Sequence, residues 1–157
     1  MTEQIQTARF TDNLNALLDE TFERVDGIYL DEGTSLFETL ATITAEQASR
    51  PLSSRCASIA AQVAHTTYYL DVLATYQREE KPTNVDWSPA WEITAVSAEE
   101  WTRLNAELRA SYRRVRDQIA ATSDWNGEEA LGAALAIVVH TAHHLGEIRQ
   151  AIGIIEG

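Results

Sequence analysis

At 157 residues and a formal net charge of -12, the chain is long enough to bury one core and too short for two comfortable domains, and so acidic a surface repels nucleic acid. Its one cysteine, Cys56, excludes an internal disulfide and any multi-cysteine zinc site. No stretch is apolar over the length of a bilayer crossing, and the acidic, amphipathic opening MTEQIQTARFTDNLNALLDE is unlike a signal peptide; a cytoplasmic protein with no membrane association is expected.

In chain order, Ile5, Phe10, Leu14, Leu17, Leu18, Phe22 and Val25 recur mostly at three- and four-residue steps, which predicts a first helix from Thr2 to Asp26 with Gly27 as its stop. The stretch IYLDEGTSLFETLATITAEQASRPL reads as a long connection with short helical turns, and Thr44 and Gln47 are spaced as a capping box. A second helix is predicted from Ser53 to about Gln77. One of its apolar stripes is Ile59, Val63, Leu70 and Leu73, and the other is Ala57, Ala61, Ala64, Tyr68 and Val72, as befits a helix central in its bundle. Cys56, lacking a local activator, is expected to be a small buried hydrophobe of this segment.

The linker KPTNVDWSPAWEITAV is the second long connection, and a capping box, Ser97 with Glu100, opens a third helix through WTRLNAELRASYRRVRDQIAA. After the turn TSDWNGEE a fourth helix runs from about Glu128 to Ile152, with Gly153 as its stop. Four long helices, long connections after the first and second, and no strand-like run predict an all-α four-helix bundle, one domain over residues 1–157.

The histidines carry the chemistry. Stepping about 100 degrees per residue from Leu145 places Val138, Leu131, Ile152 and Ala134 in one core arc. His140 and His144 stack one turn apart beside that arc, His143 turns toward solvent, and Arg149 falls near the core stripe. Two imidazoles at i and i+4 can share an ion, and the only other histidine, His65, lies mid-way along the second helix. Spacing alone leaves three outcomes open: a catalytic ion, a structural ion, or imidazoles that are merely hydrogen-bonded. Glu147, one turn beyond His143 and His144, could accept from a ligand's second ring nitrogen or be a surface acid. Tyr68 and Tyr69 could reach the cavity or belong to the core. Trp87, Trp91, Trp101 and Trp125 could line a pocket or pack loops onto the bundle, and Arg149 suggests an interhelical ion pair or interface contact, with an anion-binding role as the lesser alternative.

SIAAQVAHTTYYLDVL and GAALAIVVHTAHHLGEIRQAIG, with VDWSPAW and EEWTRLNAEL between them, resemble the DinB-like superfamily, four-helix-bundle metalloenzymes of the DinB/YfiT type. These carry one histidine on the second helix and an H-x-x-x-H pair on the fourth. The resemblance implies that His65, His140 and His144 are metal ligands, that the ion is zinc or nickel, and that the protein is a homodimer. Water or a small-molecule substrate, including a low-molecular-weight thiol, would take the open positions, so a metal-dependent hydrolase or thiol transferase is expected. The alternative is a non-catalytic, stress-related binding or scaffold bundle with a structural metal or none.

Overall fold

The computed structural model describes residues 5–53 and 55–157. Over them the chain forms seven helices and no strand: α1 (Thr7–Phe22), α2 (Leu36–Ala41), α3 (Ala45–Ala48), α4 (Ile59–Gln77), α5 (Ser88–Trp91), α6 (Ala98–Ala121) and α7 (Ala130–Glu156). The long helices α1, α4, α6 and α7 make a bundle in which α4 packs against α6 and α7, and α1 closes the other side against the same two. Of the first predicted stripe Ile59, Val63, Leu70 and Leu73 are all buried; of the second, Ala61 and Val72 are buried, Ala64 and Tyr68 half-buried, and Ala57 precedes the helix. No helix among the described residues is long and apolar enough to cross a membrane.

Helix directions follow from the cross-contacts. Glu79, just past the end of α4, accepts from the backbone N–H of Ala130 at the start of α7, while His65 meets His140 further along, so these two helices are antiparallel. Asp71 pairs with Arg114 and Gln77 donates to Thr122, so α4 and α6 are parallel. Asp19 accepts from Tyr112, and Trp125, beyond α6, donates to Thr11; α1 is therefore antiparallel to α6. Parallel neighbours need a connection that retraces the length of the first helix, about 28 Å for the 19 residues of α4. The linker after α4 does this, running back along the bundle with α5 in its middle.

Helix ends differ from the expectations where side chains outcompete simple stop signals. The start predicted at Thr2 falls outside the described residues, but Ile5 is 78% exposed and α1 begins at Thr7. It ends at Phe22, because the buried Glu20 accepts from the backbone N–H groups of Asp26, Ile28, Tyr29 and Leu30 at 2.5–3.1 Å and turns the chain back on the helix. Gly27, at φ 84°, serves that turn and not the helix end. Burial alone would raise the Glu20 pKa, but the four amide donors outweigh it and lower it to about 2.

At the second predicted helix, Ser54 lies outside the described residues. α4 begins only at Ile59, because Ser58 is the cap, its hydroxyl accepting from Ala61 N–H. Cys56 therefore precedes the helix and is exposed, contrary to the expectation of burial. The capping boxes at Thr44/Gln47 and Ser97/Glu100 are present. At the far end, Gly153 does not stop α7, which continues to Glu156: Ile155 still packs on the core, and Gln47 donates to Glu156 at 3.3 Å.

Candidate metal centre

His65 is held by the middle of α4, and His140 and His144 by the middle of α7. Because the two helices are antiparallel neighbours, the rings converge. His140 Nε2 lies 3.1 Å from His65 Nε2 and 3.2 Å from His144 Nε2. A ring nitrogen carries one lone pair or one hydrogen, so His140 Nε2 can satisfy only one of these neighbours by a well-aligned hydrogen bond. Ligands on a tetrahedral ion with bonds of 2.0–2.1 Å stand about 3.3 Å apart, close to both separations. Three lone pairs aimed at one point fit a divalent cation better than they fit one another.

The electrostatics agree. Burial, then the charge His144 would carry, lowers His65 to about 4, with Glu147 pulling weakly the other way. Burial and the neighbouring His144, His65 and His143 lower His140 to about 3. His144 is lowered by burial despite Glu147. At neutral pH all three rings are therefore uncharged, the form in which imidazole binds metal.

Each ring is fixed differently. Glu147 Oε2 is 2.9 Å from His144 Nδ1, which places the hydrogen on Nδ1 and frees the Nε2 lone pair. Glu147 Oε1 also lies 3.4 Å from Nε2 of the exposed His143. Tyr69 stacks on His140, centroids 3.4 Å apart and planes within 2°, and Trp91 of α5 stacks on His65 at 4.1 Å. The Nδ1 atoms of His65 and His140 are buried without a hydrogen-bond partner among the described residues.

The returning linker delivers the aromatic cover. Asp86 N–H donates to Tyr68 Oη at 3.1 Å, and Ser58 Oγ donates to the Ile93 carbonyl at 3.0 Å. Between these ties Trp87 and Trp91 lie against His65. Beside them an open cleft of about 840 Å³ is lined by His143, His144 and Glu147 of α7 together with Trp91, Gln62 and Arg55.

The cluster of buried ligand atoms that could hold a metal ion is His65, His140 and His144, all within 4.8 Å of one another. His143 stays outside it, as the helical wheel requires, though His143, His144 and Glu147 form a second, more exposed group. The remaining candidates separate cleanly. Trp101 is buried with its indole N–H on the Ile43 carbonyl, and Trp125 packs edge-on against Phe10, so both are structural. Arg149 is exposed and makes no ion pair among the described residues, and Leu131, expected in the core arc, is 40% exposed. Sequence reasoning missed Arg55, Gln62 and the stacking of Tyr69; the available signal was that Gln62 lies three residues before His65, on the same helix face.

The model of the DinB superfamily matches residues 29–148, a span that takes in the three converging histidines and ends within α7. The chain belongs to the DinB superfamily. No curated protein and no solved structure matches it.

Proposed function

We propose that this DinB superfamily member binds a divalent ion, zinc or nickel, through Nε2 of His65, His140 and His144, and uses it for hydrolysis or for group transfer to a low-molecular-weight thiol. The observation that carries the reading is the convergence of three uncharged imidazole nitrogens beside a cleft that reaches His144. The bound ion would acidify water or a thiol and polarise a carbonyl.

The chain's own residues set the conditions for that chemistry. Glu147 holds the hydrogen on His144 Nδ1, while Tyr69 and Trp91 fix the other two rings and shield them from water. His143, exposed at the cleft and 3.4 Å from Glu147, is placed to pass protons between the cleft and bulk solvent. Three neutral ligands and an open approach support a catalytic role over the structural one, which needs a closed site. Homodimer formation and cytoplasmic residence belong to the same proposal. Leu131, Leu135 and Val139, exposed at four-residue steps along α7, supply an apolar stripe suited to a second copy.

The test is to purify the protein without an affinity tag, measure metal per chain, and repeat with His144→Ala. One ion per chain in the parent and loss of metal with retained helicity in the variant is the expected result. Absence of metal from the parent overturns the proposal, and unfolding of the variant on metal loss favours a structural ion.

A further inference from the structure

The cleft beside the histidines contains two side chains the metal reading leaves without a task. Gln62 is 8% exposed, yet its Oε1 has no hydrogen-bond partner among the described residues. Leaving a buried amide oxygen unpaired is costly, and Gln62 sits one helical turn before His65 on the cleft wall. Arg55, exposed on the same lining, makes no ion pair among the described residues, although acids outnumber bases two to one along the chain. Glu147, also on the lining, is engaged by His144 and His143.

The placement of charge is selective. The chain as a whole repels anions, but a divalent ion at the histidines would more than offset the carboxylate of Glu147, and with the guanidinium of Arg55 the cleft would be net positive. The positive end of the α4 dipole adds to this at Ala57, also on the lining. Arginine offers a planar fork of donors that fits a carboxylate. A single arginine on a lining that also carries the apolar Leu52 and Trp91 suits one such group better than a phosphate dianion, which calls for several cations or an amide cradle.

We infer that the cleft takes a small organic molecule bearing a carboxylate, which pairs with Arg55 while a neighbouring polar group bonds the Gln62 amide and the reacting end faces the histidines. A volume of about 840 Å³ is in the range of pockets that enclose whole small ligands. The inference rests on the metal reading above and goes beyond it in naming the ligand class and the residue that selects it.

The experiment uses the full chain loaded with cobalt(II) and follows the sulfur-to-cobalt charge-transfer absorption on titration with ω-mercaptoalkanoates. These carry two to five methylenes, and each is compared with its neutral primary amide. The acid of best length should bind roughly tenfold more tightly than its amide, as a charge-assisted pair warrants. Arg55→Gln should bring that preference close to unity with the amide's affinity unchanged, while Arg103→Gln, on the distant face of α6, should keep it. Equal binding of acids and amides by the parent, or a preference that survives in Arg55→Gln, overturns the inference and leaves the metal reading standing. Failure to take up cobalt, or cobalt uptake without absorption from any thiol, overturns the thiol-binding metal reading and this inference with it.

Discussion

Two buried polar centres in this molecule are built on opposite terms. Glu20 is a single anion met by four backbone amides, so its charge is compensated within the chain and its role ends with the turn after α1. The histidine centre gathers three uncharged bases and crowds their Nε2 atoms to 3.1 and 3.2 Å, so that the middle one can bond only one of its two neighbours. A polar group buried for stability is normally satisfied internally. Three Nε2 atoms crowded on one another have no such internal settlement, and a cation could supply it.

The sharpest way to break this contrast is to remove each centre. Glu20→Ala strands four amide donors and should lower the Tm by roughly 10 °C, with metal per chain unchanged; a parallel loss of metal would mean the two centres are not independent. His65→Ala should instead reduce metal affinity by more than roughly 100-fold, beyond the range of an outer-sphere change, while the metal-free Tm stays within a few degrees of the parent's, both read by calorimetry.

Glu147→Ala should cost about 10- to 100-fold in metal affinity, and Glu147→Gln less, because a glutamine carbonyl can still accept from His144 Nδ1. Equal losses in the two variants would show that the charge of Glu147 matters and its positioning does not.

Acid separates the centres more gently. The folded-state pKa values of His65 and His140 lie below the free value, so their contribution is complete above pH 6.5 and falls as the pH drops toward about 4 and about 3. Glu20 contributes fully above pH 4.5 and loses its share as the pH falls toward about 2. Urea midpoints of metal-free protein should therefore decline first in the histidine window, and Glu20→Gln, starting from a lower midpoint, should flatten the decline only in the lower one.

The part of this legible in the sequence was the part governed by period. Helical spacing placed His140 and His144 on one side of α7 and His143 outside, and the stripe Ile59, Val63, Leu70 and Leu73 marked the buried face of α4. Glycine signals did worse, since Gly27 and Gly153 permit a chain reversal without requiring one, and Glu20 and Ile155 decided those ends. Cys56 and Arg55 lie in the non-periodic run before Ser58, where no repeat announces exposure, so the cleft wall they form was hidden. Tyr69 and Trp91 were visible as aromatics, but the stacking of Tyr69 on His140 depends on how α4 and α7 are set side by side, and that of Trp91 on the path of a linker whose course follows from helix direction, both properties of the assembled bundle.

Because α4 and α6 point the same way, a strap must cross in front of the histidines, tied down at Asp86 and Ile93. The three histidines are thus anchored in rigid helices, while Trp87 and Trp91, which lie over His65, belong to a connecting segment. Exchanging residues between the two ties would reshape the approach to the centre without moving a histidine, so the cover and the centre can change independently.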